Sequence, residues 1–383
     1  MKYDFVTETD RSGTFSLKWD VAAGELPMWV ADMDFETAPC VKEALLKRVQ
    51  HGVFGYIDTP DEWRKAYTGW WERRHAFKMD EDWLIFCTGV VPAISSIVRK
   101  LTTPGENVLI MTPVYHVFFN SILNNGCHVL ENPLTYADGV YSIDWENLEE
   151  CMADPQTSLM ILCNPHNPTG NIWSAQELGR IGEMAAKYHV VVLSDEIHCD
   201  LCDKGYEYVP FASVSNTCKE NSITCIAPTK AFNIAGVQTA AVSVPNPSLR
   251  HKVWRALNTD EVGEPNAFAV DAAIAAFNGG AEWLDELRLV LEDNKKTVKD
   301  FVKKELPQIT VIDSHATYLL WLDCSKITDD TGLLCDEIRK KTGLYLSAGE
   351  EFGGNGKVFI RMNIATQKIR LLDGLERLKK AIK

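Results

Sequence analysis

Residues 157–170 have the sequence TSLMILCNPHNPTG, and residues 189–198 have the sequence HVVVLSDEIH. Each segment contains a short, almost wholly apolar run and then turns polar. Such runs are typical of strands that are buried on both faces, as in a parallel sheet covered by helices. The two segments therefore predict an α/β protein with a mostly parallel central sheet.

Patterns on the N-terminal side extend this prediction. Residues 106–115, 116–126 and 127–134 alternate between strand-like and helix-like sequences. Apolar residues at helical spacing predict helices that begin at Pro39 and near Trp63. This alternation favours one large α/β domain.

The C-terminal part has a different pattern. An amphipathic stretch without Gly or Pro, residues 281–304, predicts one long helix. Strand-like segments and a terminal helix pattern follow it, and they predict a smaller α+β domain. We therefore expect a large domain over 41–280 and a small domain over 281–383, with residues 1–40 belonging to the small domain.

Composition excludes several classes of protein. The chain has 383 residues, of which 39 are Lys or Arg and 53 are Asp or Glu, so its formal net charge is −14. An acidic surface disfavours nucleic acids and anionic membranes as partners. No apolar stretch approaches the ~20 residues that a membrane-spanning helix needs. We expect no nucleic-acid or membrane partner.

The eleven cysteines indicate a reducing compartment. Their number is odd, their spacing is irregular, and many lie in apolar runs, where a reduced cysteine packs as a small hydrophobe. The start of the chain shows no export signal, so we expect cytoplasmic localisation with free thiols. Cys199 and Cys202 have CxxC spacing, but they lack a second cysteine pair or a set of nearby histidine ligands that would complete a four-coordinate zinc site, so the sequence predicts no metal site.

Polar residues with useful chemistry follow four of the predicted strands. Gly89 opens a helix after one strand, the NPHNPTG segment (164–170) follows another, and Asp195 and Lys230 follow two more. Ligands of parallel sheets collect at the carboxyl ends of strands. Together these residues offer a phosphate cradle, an amide, a carboxylate and a primary amine, which is the set that a pyridoxal phosphate (PLP) site needs.

Each residue alone also has a purely structural interpretation. A Gly turn such as that at Gly89 is often only a turn, and NPHNPTG is also compatible with a loop made rigid by proline. Asp195 is in a position where helix caps are common. A single lysine at a strand end is usually solvated. The combination, and not any one residue, favours the cofactor site.

Four motifs in order give a family resemblance: NPHNPTG, SDEIH (194–198), PTKAFNIAG (228–236) and FIRMNIA (359–365). They resemble the fold-type I PLP enzymes of the class I/II aminotransferase superfamily, and the resemblance runs along essentially the whole chain. Three further features are similar to the MalY/PatB-type branch of cystathionine β-lyases and cysteine-conjugate C–S lyases, namely MWVADMDF (28–35), FGYIDTP (54–60) and the sequence DEIH.

The resemblance assigns the PLP site to the large domain and gives roles to its residues. It implies that Lys230 forms the Schiff base and acts in catalysis with Asp195, which pairs with the pyridinium nitrogen. Asn167 would bond the 3′-oxygen of the ring. His198 replaces the tyrosine that aminotransferases commonly place near that oxygen, and Tyr115 would stack on the ring and take part in catalysis.

The resemblance also covers the phosphate and the substrate. It implies phosphate contacts from Gly89, Val90 and Thr229, and from Tyr56 of a neighbouring subunit, hence a homodimer with shared sites. Two phosphate ligands common in aminotransferases are replaced here, by Ala227 and Gln238. For the substrate, Arg361 would bind the α-carboxylate, while Trp29 and Asp32 would cover the substrate side; core packing of Trp29 is an equal alternative.

The function that the resemblance implies is β-elimination. The enzyme would cleave L-cystathionine or another L-cysteine S-conjugate to pyruvate, ammonia and a thiol, with PLP as cofactor and no metal. An aminotransferase is the first alternative, because the same residues serve both reactions. A non-catalytic regulatory protein on the same fold is the second, and the intact Lys230, Asp195, Asn167 and Arg361 argue against it.

Overall fold

A computed structural model describes all 383 residues of the chain. Its twelve α-helices are α1 (Pro39–His51), α2 (Asp61–His75), α3 (Val90–Leu101), α4 (Val117–Leu123), α5 (Trp145–Ala153), α6 (Ala175–Lys187), α7 (Asn216–Glu220), α8 (Pro247–Thr259), α9 (Ala269–Gly279), α10 (Ala281–Glu305), α11 (Thr331–Thr342) and α12 (Lys368–Ile382). None of these helices combines the length and the apolar character needed to cross a bilayer.

Its fifteen strands are β1 (Leu26–Pro27), β2 (Leu84–Cys87), β3 (Asn107–Thr112), β4 (His128–Pro133), β5 (Thr135–Ala137), β6 (Val140–Ser142), β7 (Thr157–Cys163), β8 (Val191–Asp195), β9 (Ser222–Ile226), β10 (Ala240–Ser243), β11 (Thr310–Val311), β12 (Leu319–Asp323), β13 (Leu344–Tyr345), β14 (Ser347–Ala348) and β15 (Phe359–Asn363).

Seven strands form the central sheet, in the order β2-β10-β9-β8-β7-β3-β4. The pairs among β9, β8, β7, β3 and β4 are parallel, and only β10 runs antiparallel to its two neighbours. The register places Cys163 at the end of β7 opposite Asp195 at the end of β8. The prediction of a mostly parallel α/β sheet is confirmed.

The near-continuous apolar runs have a direct explanation in this sheet. In β7, Leu159 and Ile161 pack into a core shared with α3 and α8. Met160 and Leu162, which point to the opposite face, pack into a second core shared with α6. Because both faces are covered, alternation between apolar and polar residues is not needed, and the strand is apolar throughout.

A second, antiparallel sheet holds the C-terminal strands in the order β11-β12-β15-β14. It places Arg361 of β15 between Trp321 and Ser347 of its neighbouring strands. The N-terminal segment joins this part of the molecule, since β1 pairs in parallel with β13. The division into domains, with residues 1–40 in the small domain and limits at 40 and 280, stays a prediction.

A buried ion pair anchors the N-terminal segment. Lys18 Nζ lies 3.0 Å from Asp34 Oδ1, and both side chains are only 1 % exposed. Arg11 and the indole of Trp19 also donate to Asp34. The carboxylate is thus fully compensated although it lies in the protein interior.

We expect Lys18→Met to lower the free energy of unfolding by about 3 kcal/mol. This value is near the lower end of the range for breaking a buried ion pair, because Arg11 and Trp19 still donate hydrogen bonds to Asp34. Urea unfolding monitored by circular dichroism measures this loss. The control is Lys42→Met, whose pair with Glu36 is exposed and should cost less than about 1 kcal/mol. Equal losses in the two variants would contradict the assignment.

Candidate active site

The ends of the central strands converge on one cavity of about 250 Å³. Asp195 closes β8, Lys230 follows β9, and the loop after β7 supplies Asn167. The cavity brings together eight of the residues predicted from sequence: Gly89, Val90, Tyr115, Asn167, Asp195, His198, Thr229 and Lys230. Their assembly follows from parallel strands, whose carboxyl ends share one edge of the sheet.

A larger cavity of about 740 Å³ adjoins the first. The two share Ala31, Tyr115 and Lys230 in their walls. The larger cavity also contains Arg361 and Trp29, so these two predicted substrate residues lie on the same side of the site. The arrangement provides an inner space for a planar cofactor and an outer space for a substrate.

Asp195 is a buried carboxylate without a cationic partner. It is 4 % exposed, and its Oδ1 accepts one hydrogen bond, 3.2 Å long, from the amide of Ile197. Burial raises its pKa to about 7, against the lowering effects of this amide and of Lys230. A cationic group in the cavity would keep this carboxylate ionised, and a protonated pyridine nitrogen is such a group.

Lys230 is an amine whose proton is weakly held. Its Nζ donates to the carbonyl of Ala31 over 2.7 Å. Burial and then the charge of Arg361 lower its pKa to about 8, although Asp32 and Asp195 oppose the shift. At pH 7 about a tenth of the amine is therefore unprotonated, far more than for an ordinary lysine, and this form can act as a nucleophile or general base.

His198 and Arg361 have buried polar atoms without partners. His198 Nδ1 has no hydrogen bond, and burial together with the charges of Lys230 and Arg361 lowers its pKa to about 3, so the imidazole is neutral. Arg361 is 3 % exposed and its Nε is unpartnered. Buried groups of this kind normally find a partner, and here both are available to a bound ligand.

The guanidinium of Arg361 is held from several sides. Its Nη2 donates to the carbonyl of Trp29 over 2.9 Å, and its Nη1 donates to Asn167 Oδ1 over 3.4 Å. The ring of Phe352 lies 4.8 Å below it. Burial lowers its pKa to about 10, which leaves the group charged at neutral pH.

The phosphate end of the cavity is the start of α3. Gly89 precedes the helix, and a Cβ at this position would lie 3.2 Å from Pro92 Cδ. The amides and dipole at a helix N-terminus favour an anion. Thr229 and Gln238 lie in the same wall, whereas Ala227 is buried and absent from it.

Two predicted site residues lie elsewhere in the chain's own structure. Tyr56 is fully exposed and lines neither cavity. Asp32 pairs with Arg11 at 2.7 Å and with Lys18 at 3.7 Å, and it also lines neither cavity. The carboxylate is thus paired with two cations, and its charge still acts to raise the pKa of Lys230. Trp29 lies in the outer wall, stacked on Tyr345 at 4.7 Å.

Several site contacts have no signature in the sequence. The strap, which we define as residues 29–33, crosses the site and is held by its backbone. Tyr318 donates to the carbonyl of Ala31, Asn363 donates to two further carbonyls of the strap, and Asn233 bonds Met33. Cys163 also lines the inner cavity. Backbone acceptors are common to all residues, so no sequence motif marks them.

Comparison with known proteins agrees with this geometry. The family model of class I and II aminotransferases matches residues 26–377. The chain is 42 % identical to cystathionine β-lyase PatB of Bacillus subtilis, over 99 % of this chain and 100 % of that protein.

Two solved structures are similar along their whole length. The crystal structure of cystalysin from Treponema denticola, which contains a pyridoxal 5′-phosphate cofactor, has a TM-score of 0.96, 34 % identity and coverage of 100 % of this chain and 99 % of that one. A PLP-bound C–S lyase from Staphylococcus hominis has a TM-score of 0.93, 31 % identity and the same coverage. The chain therefore belongs to the family of class I and II aminotransferases and has its α/β fold.

Proposed function

We propose that this protein is a PLP-dependent C–S β-lyase that cleaves L-cystathionine or a related L-cysteine S-conjugate to pyruvate, ammonia and a thiol, which is homocysteine in the case of cystathionine. The observation that carries the proposal is the cavity in which Lys230, Asp195 and Asn167 meet, with Arg361 next to it. The similarity to PatB and to a C–S lyase structure supports the lyase reaction over others on this fold.

The residues present fit the cofactor. Asp195 would pair with the ring nitrogen, since it is a buried carboxylate whose side chain accepts only one hydrogen bond, from the amide of Ile197. The neutral, unpartnered His198 and the amide of Asn167 would bond the ring oxygen, and Tyr115 would cover the ring. The phosphate would lie at the start of α3, beside Gly89, Val90 and Thr229. PLP supplies an electron sink for bond breaking at the substrate α-carbon.

The chain's own groups supply the remaining chemistry. Arg361 would bind the substrate α-carboxylate, which fixes the amino acid in the outer cavity with a planar, bidentate donor. Lys230 Nζ is the only primary amine in either cavity wall, and it would remove and hold the α-proton. The strap, which includes Trp29, would exclude water from the substrate side.

Incubation of the purified protein with PLP and L-cystathionine tests the proposal. A lyase forms pyruvate and free thiol in equal amounts. An aminotransferase, which is the alternative, forms pyridoxamine phosphate and a 2-oxo acid that retains the sulfur. Transamination without thiol release would exclude the lyase, and a protein that acquires no visible absorbance with PLP would exclude both.

We expect Arg361→Lys to raise KM for cystathionine roughly 10- to 150-fold, because one charge-assisted hydrogen bond is worth about 1.5–3 kcal/mol and lysine cannot replace the bidentate fork. Steady-state kinetics would show the change in KM with a smaller change in kcat. Arg339→Lys is the control, since Arg339 lines the same cavity but pairs with Glu25 at 2.7 Å. A similar KM in both variants would contradict the assignment.

We also infer a homodimer in which Tyr56 reaches the phosphate of the other subunit. Support comes from its surroundings: residues 52–60 lie outside helices and strands, and Val53, Phe54 and Tyr56 are all more than half exposed. Light scattering should give twice the mass of the chain. Inactive Lys230→Ala and Tyr56→Ala chains should regain activity when they are mixed, because mixed dimers hold one intact site. A monomer, or no regain, would exclude shared sites.

We place the enzyme in the cytoplasm. Support comes from the eleven cysteines, all of which are free thiols in the structure, as expected in a reducing compartment.

A further inference from the structure

A separate cavity of about 430 Å³ lies beside the turn that carries His198. The next two residues of that turn, Cys199 and Asp200, line it together with His75 from the end of α2. None of these three residues lines the two cavities of the active site. They form a group with three different ligand chemistries: a thiol, a carboxylate and an imidazole.

The three ligand atoms are close enough to share one ion. One nitrogen, one oxygen and one sulfur from His75, Asp200 and Cys199 lie within 4.8 Å of one another. His75 Nε2 is 3.0 Å from Asp200 Oδ1. Zinc binds nitrogen and oxygen at about 2.0–2.2 Å and sulfur at about 2.3 Å, in a tetrahedron whose ligand atoms are therefore about 3.3–3.8 Å apart. Only small side-chain shifts separate the observed group from that geometry.

The charge of the group is a second and independent observation. Asp200 is 5 % exposed, yet its hydrogen-bond partners are His75 and the indole of Trp70, and no Lys or Arg lies within ion-pair distance. Three arginines line the same cavity without an ion pair to Asp200: Arg74, whose pKa Asp200 helps to raise, pairs with Asp285, and Arg288 donates to the carbonyl of Cys202. A buried carboxylate of this kind requires a positive charge.

The surroundings complete the features expected of a metal site. Trp70 Nε1 donates to both oxygens of Asp200 at 3.0 and 3.1 Å. A hydrogen bond of this kind, from a residue that does not itself bind the metal, orients a ligating carboxylate. The cavity gives an ion a path to the group and leaves room for a water molecule as fourth ligand. A mixed set of sulfur, nitrogen and oxygen ligands is best suited to zinc among common divalent ions.

We propose that Cys199, Asp200 and His75 bind one Zn²⁺ ion, with water in the fourth position. When the Zn–S bond forms, the thiol of Cys199 releases its proton to solvent, and no electron is transferred. The ion neutralises the buried carboxylate and thiolate. The ion also links the end of α2 to the turn at residues 197–200. This link would hold in place the turn that carries His198.

The sequence predicted no metal here because the histidine next to Cys199 is His198, which is assigned to the cofactor, and no other histidine lies within a few residues. The fold supplies one from α2. Cys202, the second cysteine of the CxxC pair, is not within the ligand group, although it lines the same cavity.

The proposal is tested by zinc binding to the PLP-loaded enzyme. Equilibrium dialysis against buffered Zn²⁺, followed by elemental analysis, should give one tightly bound zinc per chain. Cys199→Ser and His75→Gln should each weaken binding by more than roughly 100-fold, which exceeds the ~10- to 100-fold effect of an outer-shell partner. Zinc X-ray absorption of the wild type should show one sulfur neighbour among nitrogen and oxygen.

The matched control is Cys40→Ser, because Cys40 is the only partly exposed cysteine and therefore the one most accessible to adventitious zinc. This variant should keep the bound zinc. Thermal unfolding and pyruvate formation verify that each variant is folded. Failure of the wild type to bind zinc at micromolar concentration would overturn the proposal and indicate that protonated His75 alone compensates Asp200. Unchanged binding in Cys199→Ser and His75→Gln would overturn it as well.

Discussion

Replacing Lys230 with alanine is expected to lower the rate of pyruvate formation from L-cystathionine by at least about 1,000-fold, within the range that a positioned general base contributes. The variant loses the only primary amine in either cavity wall. It therefore loses both the covalent anchor of the cofactor and the base for the α-proton. Steady-state assays of pyruvate and thiol measure the rate, and the visible spectrum reports the loss of the anchor.

The control for this variant is Lys252→Ala, because Lys252 is an exposed residue of α8 and its removal should leave the rate unchanged. Melting temperatures separate an effect on chemistry from an effect on folding. If Lys230→Ala kept more than a tenth of the wild-type rate while it bound PLP, another group would have to be the base, and the proposed role of Lys230 would be wrong.

Replacing Asp195 with asparagine should have the second largest effect, a loss of roughly 100- to 10,000-fold in kcat/KM. Asparagine keeps the shape and still accepts the amide hydrogen bond of Ile197, but it carries no charge. The ring nitrogen of the cofactor would then lose its counter-ion, and with it the proton that makes the ring an effective electron sink. Stopped-flow kinetics and a PLP titration would measure the two consequences.

The pH dependence of the affinity for PLP is a second measurement, and the pKa of Asp195 fixes its direction. Burial raises the pKa of Asp195 to about 7 without the cofactor. Below that pH the carboxyl is increasingly protonated and cannot stabilise a cation, so PLP affinity of the wild type should fall as the pH drops below 7. Because asparagine does not titrate, this part of the pH dependence should be absent from Asp195→Asn.

The neighbouring carboxylate is a matched control. Glu196 is also buried, but it bonds Ser194, Tyr208 and the amide of Phe211, so it belongs to the core. Glu196→Gln should lower the melting temperature and leave kcat within several-fold of wild type. Equal kinetic damage in the two variants would show that burial of charge, and not its position against the ring, is what matters.

The sequence allowed the central architecture and most of the inner cavity to be predicted. Apolar runs such as 157–163 identify strands that are buried on both faces, and the parallel sheet then brings Asn167, Asp195 and Lys230 to one edge. This inference needs only the strand order along the chain and the rule that ligands collect at carboxyl ends.

Contacts between segments that are distant in sequence could not be predicted from the sequence. The position of Asp32 follows from its pairs with Arg11 and Lys18, which no local pattern reveals. The same holds for the approach of His75 to Cys199 and for the backbone carbonyl of Ala31, which accepts from Lys230. These contacts arise between segments far apart in sequence, and none has a fixed spacing.

The strap has a thermodynamic consequence for ligand binding. Its carbonyls at Trp29 and Ala31 accept hydrogen bonds from Arg361 and Lys230, the two donors that a carboxylate and an aldehyde must each engage. The aldehyde therefore competes with the carbonyl of Ala31, and a carboxylate that engages Nη2 of Arg361 competes with the carbonyl of Trp29. Whichever ligand binds first removes one restraint on the strap and so lowers the cost for the other. Because such linkage is reciprocal, cofactor and amino acid should each strengthen the binding of the other by the same factor.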